Sequence, residues 1–164
     1  MVKEKFNIVN LANNDGCFDL QFRKDTRYER TNSPTYYRWK AQFIVTAPKA
    51  DIKILEKIKK EINCGEVHVS GGQARFSVQK ICDVFDIIVP YFKKNQLKDK
   101  KKKDFELWSK GVEIIYKNKG KSLVFWKKND LNQLMQIQKS CAKYKNRPRS
   151  GKWIEMAKTL TKTS

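Results

Sequence analysis

The sequence is short of acids, of histidine and of paired cysteines, and each shortage excludes a class of protein. Its 164 residues include 17 Asp and Glu against 36 Lys and Arg, which gives a formal net charge of +19. The four cysteines, at positions 17, 64, 82 and 141, form no Cys-x-x-Cys pair, and His68 is the single histidine. These counts exclude a zinc-finger ligand set, and the scattered cysteines are expected to be reduced residues of an intracellular protein.

A long hydrophobic run is also missing. No apolar stretch approaches the roughly 18 residues that span a membrane, so neither a spanning helix nor a signal peptide is expected. Apolar residues make up 40% of the chain, which is enough for one globular domain of this length. A pI near 9.8 indicates a nucleic-acid-binding protein, with a ribosomal-type protein or a basic membrane-surface protein as the alternatives.

Two stretches alternate apolar and polar residues with the period of a half-buried strand. In the first, residues 17–23, Phe18, Leu20 and Phe22 alternate with polar residues. In the second, residues 37–45, every odd position is apolar. Two further short strands are predicted on either side of Gly71-Gly72, a dipeptide that favours a tight hairpin turn.

Helical spacing of apolar residues predicts helices between and after these strands. One covers 49–63, and a second covers 79–89 and is broken or kinked by Pro90. The lysine-rich segment Lys93 to Lys103 is predicted to be an exposed loop. Three more helices are predicted, over 104–118, about 129–141 and 153–160. The predicted fold is α+β, an antiparallel four-stranded sheet with helices on one face, plus C-terminal helices.

The polar face of the predicted sheet is rich in residues that contact nucleic acids. Arg and Gln make paired hydrogen bonds to guanine and adenine edges, whereas Lys and Ser suit phosphates or less specific contacts. Any solvated strand face is polar, but a bias shared by four strands favours DNA recognition. The DNA-contact candidates are Gln21, Arg23, Arg27, Arg38, Lys40, Gln42, His68, Ser70, Gln73 and Arg75.

An acid stands at the junction of the first predicted helix and strand, in the segment Asn10-Leu11-Ala12-Asn13-Asn14-Asp15-Gly16-Cys17-Phe18. On so basic a chain, a carboxylate there suits a divalent metal held against a phosphate. Asp15 also ends a helix, where the helix dipole disfavours an acid unless a cation neutralises it. The alternative interpretation is a surface Asp before a turn glycine.

This segment resembles the motif of the LAGLIDADG homing endonucleases, a helix that ends in acid-Gly and runs into the first strand of a DNA-binding sheet. The order helix-strand-strand-helix-strand-strand-helix is similar as well. Four other places look like the family: residues 43–46, the Gly65 corner, residues 88–92 and residues 100–108. The chain is expected to form a single domain, residues 1–164. The resemblance covers about residues 6–118 of it, and the segment 119–164 fits the helical C-terminal arms of family members.

The resemblance implies an intron-encoded, Mg²⁺-dependent endonuclease that cuts a long, roughly palindromic site in double-stranded DNA. Asp15 matches the motif's metal-binding acid, and Asn14 beside it is a second metal-ligand candidate. Lys100 best matches the family's active-site lysine, and Lys98 and Lys101 match nearly as well because a lysine run aligns ambiguously. Because one motif is present, two copies are expected to pair as a homodimer.

Three residues depart from the family pattern and keep other functions open. Asn10 and Asn14 stand where the family has small residues at its helix crossing, and Ala47 stands where members often carry a polar, water-positioning residue. The alternatives are a catalytically inactive DNA-binding protein, an RNA-binding intron maturase of the same fold, and an unrelated RNA- or ribosome-binding protein. The expected location is intracellular, with the mitochondrion and the chloroplast left open.

Overall fold

The computed structural model describes residues 7–26 and 35–145, and of residues 24–26, 35 and 36 the backbone only. Arg27 and the helix predicted over 153–160 therefore lie outside the described residues. The elements in the first half of the chain are helix α1 (Ile8–Asp15), strands β1 (Gly16–Thr26) and β2 (Thr35–Pro48), helix α2 (Ile52–Ile62), and strands β3 (Glu66–Ser70) and β4 (Gln73–Val78).

The second half of the chain is helical. Helices α3 (Ile81–Asp83) and α4 (Val89–Lys94) are joined by a π-helical turn, Val84–Ile88. Helix α5 (Asp99–Lys117) is the longest of those described, and a short 3₁₀ turn, Leu123–Phe125, precedes α6 (Lys128–Ala142). Among the described residues, no helix is long and apolar enough to cross a membrane.

The four strands form one sheet in the order β1-β2-β4-β3, and every neighbouring pair is antiparallel. The hairpin predicted at Gly71-Gly72 joins β3 to β4, with Ser70 opposite Gln73 and Gly71 in the left-handed region at φ 60°. The α+β prediction with a four-stranded antiparallel sheet is confirmed.

Aromatic side chains fill the space between the sheet and the helices. The Phe18 ring of β1 lies 5.2 Å from the Phe43 ring, 5.4 Å from the Phe92 ring and 5.0 Å from the Trp108 ring, measured between centroids. All four side chains are buried. Since each buried aromatic side chain removes about 150–250 Å² from water, this cluster dominates the packing of α4 and α5 against β1 and β2.

Pro90 neither ends nor breaks the helical run, because the turn before it widens. The prediction of a helix over 79–89 that Pro90 interrupts is wrong at its C-terminal end, since helical structure continues to Lys94. Proline lacks the N–H that an α-helix needs, and its ring clashes with the carbonyl four residues earlier. The π-helical turn Val84–Ile88 changes that spacing where the clash would occur.

The lysine-rich segment 93–103 also differs from its prediction. It was predicted to be an exposed loop, but α4 extends to Lys94 and α5 begins at Asp99. The apolar stripe that predicts the helix starts only at Phe105, whereas lysine itself is a good helix former and needs no apolar face. The first turns of α5 thus hold Lys101 on a helix rather than on a flexible loop.

The polar face of the sheet is not solvated along its whole length. Gln42 is 4% exposed and its cross-strand partner Asp19 is 3% exposed, and Ser77 on β4 is buried as well. The Gln42 Nε2 donates a hydrogen bond of 2.7 Å to Asp19 Oδ2. The prediction that Gln42 lies on an exposed face is therefore wrong, because the polar pair satisfies much of its own hydrogen bonding in a buried position.

Candidate functional site

The candidate site begins at the corner between α1 and β1. The Asn7 Oδ1 accepts hydrogen bonds from the backbone N–H of Val9, at 2.9 Å, and of Asn10, at 3.3 Å, and so caps the start of α1. The helix buries Ile8 and Ala12 and ends at Asp15, whose side chain is exposed. The last turn of α1 contains no basic residue to offset the carboxylate at the negative end of the helix dipole.

Gly16 makes the corner tight. A Cβ at this position would lie 2.6 Å from the Ala12 carbonyl oxygen, a distance that real Cβ atoms essentially never show. The Gly16 N–H also donates to that carbonyl, so strand β1 starts within hydrogen-bond distance of the last turn of α1. The position of Asp15 relative to the sheet is therefore set by backbone contacts.

Two of the three candidate lysines form hydrogen bonds with residues of this corner. The Lys101 Nζ donates a hydrogen bond of 2.5 Å to the Gly16 carbonyl, and the Lys98 backbone N–H donates one of 3.1 Å to Asn13 Oδ1. Lys100 is exposed at the same place. The structure brings together all the sequence-predicted catalytic and metal candidates, Asp15, Asn14, Lys98, Lys100 and Lys101, as lining residues of one open cleft of about 1140 Å³.

The cleft also contains a partly buried ion pair that the sequence did not predict. The Lys145 Nζ lies 2.6 Å from Asp104 Oδ1, and both residues line the cleft. Burial raises the pKa of the Asp104 carboxyl, and the nearby Lys145 and Lys101 oppose that rise. Residues three apart on a helix are neighbours, so the sequence alone could have placed Asp104 beside Lys101 on α5. Nothing in the sequence, however, pairs Asp104 with a residue 41 positions later.

The outward face of the sheet carries the remaining candidates in two groups. On β1 and β2, Gln21 pairs with Lys40 and Arg23 pairs with Arg38. On β3 and β4, His68 pairs with Arg75 and Ser70 with Gln73, and all four are exposed. The register places both groups on the same face. The buried residues Asp19, Gln42 and Ser77 lie between the two groups.

The outward face of the sheet also contains an acid, an additional exposed threonine and a buried amide oxygen. The His68 Nε2 lies 3.0 Å from Glu66 Oε2, so an acid accompanies the histidine at the outer strand. Thr46, which the sequence did not single out, is exposed opposite Arg75 and extends the face toward the cleft. The Gln42 Oε1 is buried and accepts no hydrogen bond from the part of the chain that the structure describes.

A second, basic cavity of about 450 Å³ lies at the other end of α5. It is lined by residues that follow α5, by Lys80 after β4 and by residues 38–41 of β2, which precede the part of that strand that pairs with β4. Among the described residues that line it, none is acidic and five are cationic: Arg38, Lys40, Lys80, Lys119 and Lys121. The nearby Val124 and Phe125 side chains are 77% and 75% exposed. Positive charge thus continues from the sheet face to the far end of α5.

The family model described as LAGLIDADG endonuclease matches residues 11–112, within the span of 6–118 predicted from the resemblance. A curated relative, probable intron-encoded endonuclease 3 of Neurospora crassa, is 31% identical over 88 residues, which are 52% of this chain and 16% of the relative. The chain therefore spans about one sixth of that relative's length.

Solved structures have the same fold. The homing endonuclease I-TnaI matches with a TM-score of 0.71 and 19% identity, over 93% of this chain and 95% of that one. I-SmaMI bound to cleaved DNA matches with a TM-score of 0.73 and 21% identity, over 97% of this chain and 49% of that one. At these identities the likeness supports the fold.

Proposed function

Because the chain belongs to the LAGLIDADG endonuclease family, we propose that it is a homing-type endonuclease that cuts double-stranded DNA. The observation that carries this proposal is the cleft in which Asp15 and the start of α5 meet, at one end of a basic sheet face. An exposed acid and several ammonium groups are the side chains that phosphodiester cleavage requires. The sheet face next to the cleft supplies the side chains for duplex recognition.

Asp15 and Asn14 would hold a divalent cation such as Mg²⁺. Both side chains are exposed oxygen donors at the cleft, whereas Asp104 is already paired with Lys145. Within 7–26 and 35–145, no group of three His, Cys, Asp or Glu could hold a metal ion by itself. That suits Mg²⁺, which uses one or two carboxylates, waters and substrate phosphates. Such an ion, when bound, polarises the phosphate and lowers the pKa of a water.

Lys101 is our choice for the cation that stabilises charge at the phosphate. Its ammonium is already held at the Gly16 carbonyl, next to Asp15, by the first turns of α5. Lys100 and Lys98 stay candidates because both line the same cleft. An ammonium held in place before the substrate arrives needs little reorganisation when negative charge develops on the phosphate.

A second unit of the same fold would complete the enzyme, and we propose that a second copy of the chain supplies it. One unit presents one sheet and one Asp15, which suffices for half of a two-strand cut. Asn10 and Asn14 are exposed on α1 and would face the partner, where paired amides can hydrogen-bond across a two-fold axis. The target would then be a roughly palindromic site.

The origin of the chain is part of the same proposal. The relative from Neurospora crassa is named as intron-encoded, and we extend that origin to this chain. An intron-encoded endonuclease would act inside the compartment that holds the intron-free allele. The mitochondrion is one such compartment, and the chloroplast is another.

A binding-only protein of the same fold is the second candidate function, and one observation favours it. Ala47 is half-buried on β2 opposite Ala74, so this position offers no polar group to orient a water. Such a protein would still bind DNA or its own intron RNA through the basic face.

The direct test is cleavage of an intron-free allele. Purified protein, Mg²⁺ and a plasmid library that carries intron-free alleles are incubated, and the ends of linear products are sequenced. A defined double-strand cut supports the enzyme. Binding without a cut under both Mg²⁺ and Mn²⁺ would favour the binding-only candidate instead.

Binding to duplex DNA is expected to weaken steeply with salt. Lysines and arginines that neutralise phosphates release condensed counterions, so log K falls with log salt by about 0.9 per phosphate contact. Replacing Lys119 and Lys121 in the basic cavity by Gln should make this slope shallower. The same replacement of Lys53 and Lys60, exposed on α2, is the matched control and should change it little. A flat salt dependence of the unmodified protein would refute the nucleic-acid proposal.

Sequence preference is expected to reside in the sheet arginines. Arg38 is exposed on β2 opposite Arg23, so Arg38→Ala should cost about 1–3 kcal/mol on the preferred site and relax the preference at one or two positions per half-site. Lys100→Ala should weaken binding to all sequences alike or slow the cut. Selection from randomised sites measures both. Preference that follows Lys100 and ignores Arg38 would place the base contacts elsewhere.

A further inference from the structure

The ion pair between Asp104 and Lys145 connects two distant parts of the chain at the candidate active site. Asp104 lies in the second turn of α5, and Lys145 follows the end of α6 at Ala142. Their contact distance is 2.6 Å, and the side chains are only 3% and 15% exposed. Such a contact is well shielded from water and salt, unlike an ion pair on the surface.

Among the residues that the structure describes, two cations lie within electrostatic reach of Asp104, and they are placed differently. Lys145 makes the hydrogen bond, whereas Lys101, one turn earlier on the same helix, acts on Asp104 through space. The Lys101 ammonium instead donates to the Gly16 carbonyl at 2.5 Å. Residues three apart on a helix are neighbours, so the Asp104 carboxylate is a competing acceptor for Lys101.

We propose that Lys145 is a positioning residue. By forming the ion pair with Asp104, it keeps the Lys101 ammonium at the Gly16 carbonyl, beside Asp15. Without Lys145, a buried carboxylate would lack its hydrogen-bonded cation, and Lys101 is the other cation that acts on it in the part of the chain that the structure describes. A buried unpaired charge is costly, so Lys101 would turn toward Asp104 and away from the cleft. The segment after α6 thus controls the placement of a side chain at the cleft.

This inference rests on the proposed function only for its effect on cleavage, since the placement of Lys101 is measurable without any cut. Acetylation by limiting acetic anhydride, followed by mass spectrometry, reports how accessible each lysine amine is. In Lys145→Met, the acetylation of Lys101 is expected to fall, because its ammonium enters the ion pair with Asp104. Lys145→Arg, which keeps the positive charge, should leave Lys101 acetylation as in the unmodified protein.

Cleavage gives the second measurement. Lys145→Met should cut about 10- to 100-fold more slowly at saturating protein, as is typical when a supporting partner of an active-site group is lost. Affinity for DNA should change little. The double variant Asp104→Asn with Lys145→Met should regain most of the rate and the Lys101 acetylation, because no carboxylate is left to attract Lys101.

Thermal unfolding separates positioning from simple loss of structure. If Lys145→Met does not fold, Lys145→Gln, whose amide can still donate to Asp104 but carries no charge, takes its place in the acetylation test. Unchanged Lys101 acetylation in a folded Lys145→Met protein would overturn the proposal. So would a double variant in which Lys101 acetylation stays low. A protein that never cuts but shows the expected acetylation pattern would refute the proposed function and leave the positioning role standing.

Discussion

Asp15→Asn is expected to abolish DNA cleavage while leaving DNA affinity intact or slightly higher. The substitution keeps the shape of the side chain and removes the charge that would hold a divalent cation at the cleft. A loss of at least about 1000-fold in rate corresponds to about 4 kcal/mol of transition-state stabilisation. Affinity should rise a little without metal, because the carboxylate repels phosphates until a cation arrives.

A second acid in the same cleft provides the matched control. Asp99 is exposed, lines the cleft and has a left-handed backbone at φ 51°, a conformation that Asn adopts readily. Asp99→Asn should therefore fold and cut like the unmodified protein. Both variants are compared in single-turnover cleavage with Mg²⁺ and in binding with Ca²⁺. If Asp15→Asn cuts at the full rate, or Asp99→Asn is the inactive one, the assignment of Asp15 is wrong.

Trp108→Ala is expected to lower the free energy of unfolding by about 3–5 kcal/mol, the largest stability effect we expect from one substitution. The Trp108 side chain is 0% exposed and its ring lies 5.0 Å from that of Phe18. Its Nε1 donates a hydrogen bond of 2.9 Å to the Asp19 carbonyl. The residue thus fixes α5 against β1, and truncation leaves both a cavity and an acceptor without its donor.

Urea unfolding followed by fluorescence and circular dichroism measures this effect. Phe125→Ala is the control, because its side chain is 75% exposed and the change should stay within about 0.5 kcal/mol. Trp108→Phe should fall between the two, since it keeps most of the packing and loses the hydrogen bond. Equal stability of the Trp108→Ala and Phe125→Ala proteins would mean that α5 is not held to the sheet as described.

Period-2 and helical patterns predicted most of the fold, because such patterns reflect which side chains of a strand or helix are buried. Phe18, Leu20, Phe22 and the odd positions 39–45 are buried in the core as predicted, and Tyr37 packs against it partly buried. Asn63 adopts a left-handed conformation at the end of α2, where the helix predicted over 49–63 ends. The two errors in helix boundaries arose where no apolar pattern exists: the start of α5 lies among lysines, and the widened turn before Pro90 leaves no trace in the periodicity.

The candidate site was predicted as far as local sequence allowed. The Asp15-Gly16 corner is a contiguous segment, and the lysines follow from its resemblance to a family. The pairing of Asp19 with Gln42 could not be predicted, because an outward strand position alone does not show that a neighbouring polar group will be buried with it. The contact of Asp104 with Lys145 depends on the packing of α6 against α5, which no local pattern encodes.

The absent side chain of Gly16 has a mechanical consequence for a two-copy enzyme. Because the Ala12 carbonyl lies against the first residue of β1, where no Cβ would fit, we expect α1 and the sheet to move together. In the proposed dimer, α1 is the element nearest the partner, so the distance between the two sheets is set without a hinge. A target lengthened by one central base pair would put one half-site out of rotational phase, and the protein has no joint at this corner with which to follow it.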